Sequence, residues 1–123
     1  IKCHEYFRIN KMKVLVTGNL GYVGPVVGKF LKQKKSKINL CGIDNGYFTL
    51  DNTMTAGAFD IYYDQQFYAD VRTNIFERAV DGCEAVIALA AISNDPMGKI
   101  FSKQTKDINL SAVIRNAKQA KET

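Results

Sequence analysis

The sequence predicts an α/β domain, a doubly wound parallel sheet with helices on both faces, and three observations carry that expectation. Short apolar runs recur along the 123 residues, each stopping near a glycine, an acid or small residues. Stretches with helical spacing of their apolar positions stand between these runs. At the first junction, in "KVLVTGNLGYVGPVV", Gly18, Gly21 and Gly24 fall at intervals of three. Strands that alternate with helices at this spacing join through right-handed crossovers, which makes the sheet parallel.

Lys13 to Thr17 is rich in Val and Leu, as in a strand buried on both faces. Beyond the glycines, Val23, Val26, Val27, Phe30 and Leu31 fall at i, i+3, i+4, i+7 and i+8, so a helix from about Tyr22 is expected to bury that face. Pro25 then lies among its first four residues, whose N–H groups lack intrahelical partners, and its missing proton costs little. "KINLCGID", Lys37 to Asp44, reads as a second buried strand, "NGYF" as a turn and "TLDNTMTAGA" as a long irregular loop. "FYADV", Phe67 to Val71, is expected as a third strand. "TNIFERAV" reads as a short helix closed by Asp81 and Gly82, and "CEAVIALAA", Cys83 to Ala91, as a fourth strand. "SNDPMG" reads as a loop, with a last helix from about Thr105 onward.

At this length, with 46% hydrophobic residues, the chain can bury one core. No window approaches the apolar length of a membrane span, and no early apolar block carries a secretory cleavage site, so a soluble cytoplasmic protein is expected. Cys3, Cys41 and Cys83 are far apart and form no Cys-x-x-Cys pair; they read as reduced, space-filling thiols. His4 is the only histidine, and no metal site is expected. The net charge of +5 is concentrated where Lys29, Lys32, Lys34, Lys35 and Lys37 meet the negative end of the first helix. No arginine interleaves with these lysines and Phe30 is the one aromatic among them, which argues against a nucleic-acid surface.

A helix that starts just after a buried strand points unpaired N–H groups and its positive dipole end outward, a setting for a diphosphate. Gly18 permits the tight turn, Gly21 lets an anion approach the backbone, and Gly24 lets the helix pack closely. Asp44 ends the next strand 20 residues beyond Gly24, where a carboxylate accepts hydrogen bonds from the ribose hydroxyls of an adenosine. The same carboxylate repels a 2′-phosphate, and Asn45, Gly46 and Tyr47 supply no cation, so NAD is favoured over NADP. A nucleoside-triphosphate loop is disfavoured, because Pro25 and Val26 stand where its lysine is needed.

With these residues assigned, the chain resembles the extended short-chain dehydrogenases, specifically the NAD-dependent epimerase/dehydratase family that works on nucleotide sugars. "TGNLGYVG" matches that family's Thr-Gly-x-x-Gly-x-x-Gly. The resemblance implies a Rossmann-like fold and a cofactor lying on the turn Gly18, Asn19, Leu20, Gly21, Tyr22, Val23 and Gly24. It implies Asp44 and Asn45 at the adenosine ribose, and Asp70 and Val71 of "ADVRT" against the adenine, with Asp70 accepting from its amino group. "LAAIS", led by Leu89, Ala90 and Ala91, is implied to pass along the ribose and diphosphate, and Asn109 to support the active site. Ala88 departs from the His that often precedes Leu-Ala-Ala in the family, so a polar contribution from that side chain is not expected.

The similarity spans Met12 to about Glu122 but only the front half of a family member. The family's chemistry uses a Tyr-x-x-x-Lys pair, in which the lysine lowers the tyrosine's pKa. Four places after Tyr6, Tyr22, Tyr47, Tyr62, Tyr63 and Tyr68 stand Asn10, Val26, Asp51, Gln66, Phe67 and Arg72. The expected reading is therefore an incomplete dinucleotide-binding domain over residues 12–123, preceded by an extension over 1–11 that is not part of the fold. The catalytic pair and sugar lobe are expected after Thr123, in a complete parent that is a homodimer acting on a nucleotide sugar. The chain alone is expected to be inactive. The alternative is a dinucleotide-binding or sensing module without chemistry.

Overall fold

The computed structural model describes residues 11–34, 37–47 and 62–123. Four strands, β1 (Met12–Thr17), β2 (Ile38–Asp44), β3 (Gln65–Tyr68) and β4 (Ala85–Ala88), form a fully parallel sheet in the order β3-β2-β1-β4. The helices are α1 (Gly24–Lys34), α2 (Ile75–Val80), α3 (Asp95–Ile100), α4 (Ser102–Lys106) and α5 (Val113–Glu122). A π-helical stretch, Asp107–Ala112, joins α4 to α5. From β1 the chain builds outward through β2 to β3, then crosses back to lay β4 on the other side of β1. The strand order therefore reverses between β1 and β4, the place where open parallel sheets form a ligand crevice.

Side chains alternate across the sheet into two cores. Leu15, Cys41 and Ile43 pack with Phe76, Ala79 and Val80 of α2, and Ala120 of α5 joins that face. Val14, Val16, Ile38 and Leu40 pack with Tyr63, joined by Leu31 of α1. Helices thus cover both faces, the arrangement expected from the alternating pattern. Full burial of each large apolar side chain contributes about 2 kcal/mol. Lys32 ties the end of α1 to the sheet, with Nζ donating to the Ile38 carbonyl at 2.9 Å and pairing with Asp64. Among the described residues no helix is long and apolar enough to cross a membrane.

Several elements differ from the sequence-based expectation. Most of the expected apolar face of α1 is turned away from the sheet: Val23, Val26 and Phe30 are 50%, 65% and 57% exposed, Val27 is half-buried, and Leu31 alone packs on the core. The buried residues of α1 are Gly24, Pro25 and Gly28. The reason is close approach. A Cβ on Gly28 would lie 2.7 Å from the Tyr63 ring, so the helix seats its glycine edge, and no larger side chain fits there.

The third strand stops at Tyr68 rather than Val71, because Asp70 and Arg72 form their own turn, with the Arg72 N–H donating to Asp70 Oδ1 at 2.8 Å. The fourth strand is shorter than Cys83 to Ala91, since pairing with β1 runs only from Ala85 to Ala88. "SNDPMG" is not all loop. Asn94 caps α3 by accepting from the Met97 N–H at 2.9 Å, and Pro96 falls in the first turn. The helical run expected from Thr105 begins at Ser102. The long loop "TLDNTMTAGA", Phe48 of "NGYF", Cys3, His4, Lys35 and most of the expected extension lie outside the described residues.

Candidate functional site

The crevice beside β1 is built from its last residue onward. Thr17 Oγ1 accepts the N–H groups of Leu89 and Ala90, both at 3.2 Å, which ties the end of β1 to the chain leaving β4. Gly18 then turns with φ +71°, a left-handed conformation costly for any side chain, and its N–H donates to the Ile43 carbonyl at 2.8 Å. A Cβ there would also lie 2.6 Å from Ala90 N, so glycine is needed on two counts. The Gly21 N–H donates back to the Gly18 carbonyl at 3.1 Å, closing the turn.

Gly24 begins α1 directly on top of this turn, where a Cβ would lie 2.0 Å from the Asn19 carbonyl oxygen. The buried Tyr63 hydroxyl donates to the Gly24 carbonyl at 2.8 Å and fixes the helix start from below. Burial raises the Tyr63 phenol above its ordinary pKa, so it remains a donor. The first-turn N–H groups of α1 have no intrahelical acceptor and carry the positive end of the helix dipole.

Asp44, at the end of β2, stands next to this turn. Its Oδ2 accepts from the Leu20 N–H at 3.1 Å and its Oδ1 from the Gly46 N–H at 2.8 Å. Each oxygen keeps lone-pair capacity for a further donor. Asn45 is exposed, and its Oδ1 accepts from the Tyr47 N–H at 3.0 Å. The glycine turn, Asp44, Leu89 and Ala90 are thus brought together. Tyr22 and Val23 project outward and are exposed.

The remaining expected site residues lie at the same carboxyl edge of the sheet. Asp70 is paired with Arg72, whose Nη2 lies 2.6 Å from Oδ2 and whose Nε lies 3.0 Å from Oδ1. That guanidinium holds the Asp70 carboxyl below the usual carboxylate range, while Asp70 and Asp107 together raise Arg72. Arg72 also reaches Asp107 at 3.1 Å, linking the loop after β3 to the π-helical stretch. Val71 is buried, and its carbonyl accepts from Asn116 Nδ2 at 3.0 Å. Thr17, Val71, Ala90 and Asn116 line one cavity of about 140 Å³, so the loops after β1, β3 and β4 share a wall.

Ala91 is exposed just beyond that wall. Asn109 clasps the neighbouring backbone: Oδ1 accepts from the Ile92 N–H at 2.9 Å and Nδ2 donates to the Ile92 carbonyl at 2.8 Å. No cluster of three or more His, Cys, Asp or Glu side chains placed to hold a metal occurs among the described residues. Burial pushes both the Cys41 and Cys83 thiols up, and both are free.

Sequence reasoning missed four participants. Thr17 was visible as the first residue of the glycine motif, but its role as a clamp between two strands depends on the sheet order. Arg72 was adjacent to Asp70 in "ADVRT", and that adjacency was the available signal. Tyr63 and Gln66, which support the turn from β3 and the residues before it, carry no local mark.

This architecture occurs in solved structures, which also show how much of such proteins the chain spans. The UDP-glucose 4-epimerase of Thermotoga maritima, solved with UDP-glucose, superposes with TM-score 0.73 at 17% identity, covering 89% of this chain and 34% of that one. The chain has the Rossmann fold. Pal from Bacillus thuringiensis matches with TM-score 0.70 at 22% identity over 90% of this chain and 36% of that one. The UDP-glucose 4-epimerase of Stenotrophomonas maltophila, solved with NAD and a formylated UDP-arabinopyranose, matches with TM-score 0.69 at 23% identity over 89% and 34%. The chain spans about a third of the length of these proteins. No protein-family model matches the chain, and a search of curated proteins returns no match.

Proposed function

We propose that this chain is the amino-terminal, NAD-binding portion of a nucleotide-sugar epimerase or dehydratase that works in the cytoplasm as a homodimer. The observation that carries the reading is the contact between Asp44 and the glycine turn: Oδ2 on the Leu20 N–H puts the carboxylate beside the start of α1. A diphosphate on the α1 amides then leaves its adenosine ribose within reach of Asp44. The residues fit such a group: Gly18 and Gly24 let the turn and the start of α1 close on the Ala90 and Asn19 backbones, and Gly21, where a Cβ would meet only the Gly18 carbonyl oxygen at 3.3 Å, presents bare backbone.

In this reading Gly18 to Gly24 hold the diphosphate, Asp44 and Asn45 the ribose hydroxyls, and Asp70 and Val71 the adenine edge. Leu89, Ala90 and Ala91 flank the ribose and diphosphate, and Asn109 holds the chain after β4 in place. Both Asp70 oxygens already accept from Arg72, so an adenine amino group there becomes a further partner of a paired carboxylate. NAD, when bound, would accept a hydride from the sugar carbon that bears the hydroxyl being oxidised. Likeness to epimerases solved with UDP-glucose and with NAD supports this choice of ligand class.

A second reading, a module that binds the dinucleotide without chemistry, is favoured by one observation. None of the six tyrosines has a lysine four residues on, so these 123 residues lack the paired groups for proton transfer. Calorimetric titration with NAD tests what the two readings share: saturable binding is expected, and no heat from folded protein would remove both. Near-ultraviolet absorbance after adding UDP-glucose to the NAD-loaded chain is expected to show no reduced nicotinamide. Reduction would overturn the expected inactivity of these residues.

A further inference from the structure

Asn19 is the residue after the first glycine of the turn, and its side chain is fully buried. Its position in the motif suggests a ligand-facing group, but its amide points down onto the sheet. There it forms a reciprocal pair with Gln66 of β3, Nδ2 donating to Oε1 at 2.6 Å and Oδ1 accepting from Nε2 at 3.1 Å. Gly42 of β2, the register partner of Gln66, makes the room, since a Cβ there would lie 2.2 Å from Asn19 Nδ2. On the other side, the first residue of α1 rests on the Asn19 backbone. Asn19 is therefore the spacer between the helix start and the sheet, and Gln66 is its anchor.

Asn19 is fully buried and Gln66 half-buried, so moving the pair apart leaves the Asn19 donor and acceptor without water or protein to replace the partner. An apolar spacer could slide; two directional hydrogen bonds cannot. We infer that the Asn19–Gln66 pair is a positioning device for the anion-binding turn, setting the height and heading of the α1 amides relative to Asp44. The inference rests on the NAD reading of this site and names the residues that tune it. Neither amide touches a ligand. The pair acts on the diphosphate end, whereas adenosine is held by residues on other loops.

The test uses the 123-residue chain, with NAD and adenosine as separate probes, followed by calorimetry and by nuclear magnetic resonance titration. Asn19→Ala is expected to weaken NAD about tenfold and to move the phosphorus resonance of bound NAD, with adenosine affinity changed less than about twofold. Gln66→Leu, on the edge of the described sheet, is expected to do the same and serves if Asn19→Ala does not fold. In Asn19→Asp a protonated carboxyl again offers one donor and one acceptor, so NAD affinity should recover as pH falls and fade as pH rises. Loss of NAD and adenosine in parallel with melting temperature would overturn the inference, as would unchanged NAD affinity in every variant. Folded wild-type chain that binds no NAD would remove the reading of the site as well; wild-type binding with equal binding by the variants removes this inference alone.

Discussion

At Gly24 a methyl group would meet the Asn19 carbonyl at 2.0 Å, whereas at Gly98 it would meet nothing within 4 Å. Gly24→Ala should therefore cost about 3 kcal/mol through overpacking, and Gly98→Ala, inside α3, should gain about 0.5 kcal/mol or more. Urea unfolding of the two variants measures the contrast. Asp70 gives a pH dependence of definite sign. Its folded pKa lies below its unfolded value because of Arg72, so its contribution is fully present above the ordinary carboxylate range, about pH 4, and is lost as pH falls through the depressed value. The stabilities of wild type and Asp70→Asn should converge on acidification. The buried Cys41 thiol, with its pKa raised, should resist alkylation until the chain unfolds. The backbone roles of Gly18 and Gly24 and the placement of Asp44 were legible in the sequence, because they follow from local geometry. The direction of Asn19 was not, since it is decided by Gly42 and Gln66, far along the chain.

Helix α1 shows how an element can be placed correctly and still be rotated wrongly. Its apolar positions do share one face, but only the Leu31 edge of that face reaches the core, and the closest approaches are made by Gly24 on Asn19 and Gly28 on Tyr63, which hydrophobic spacing does not count. Val26→Ala should change stability by less than about 0.5 kcal/mol, and Leu40→Ala in β2 should cost about 3 kcal/mol. Had the apolar face been the buried one, the two losses would be alike in denaturant titrations. Tyr63→Phe should cost about 1 kcal/mol by removing the hydrogen bond to the Gly24 carbonyl. The helix within "SNDPMG" was signalled by Asn94 and by Pro96 in its first turn, the same residue types that mark a loop. The early end of β3 came from the local bonding of Asp70 and Arg72, which competes with the strand ladder.

For the whole molecule, alternation of strands and helices was enough to foresee a parallel sheet covered on both faces. The strand order places the reversal between β1 and β4, beside the glycine turn. The loops after β1, β3 and β4 and the end of β2 converge at that edge, which is why residues spread from Gly18 to Asn109 belong to one region. The central claim is that this region holds an adenine dinucleotide by its diphosphate and by Asp44 on the ribose. Calorimetric affinities for NAD and NADP, in wild type and Asp44→Ala, test it most directly. Wild type should prefer NAD by about tenfold or more, and Asp44→Ala should bring the two affinities close together, chiefly by weakening NAD. Equal affinities in the wild type, or an undiminished preference in Asp44→Ala, would contradict the account.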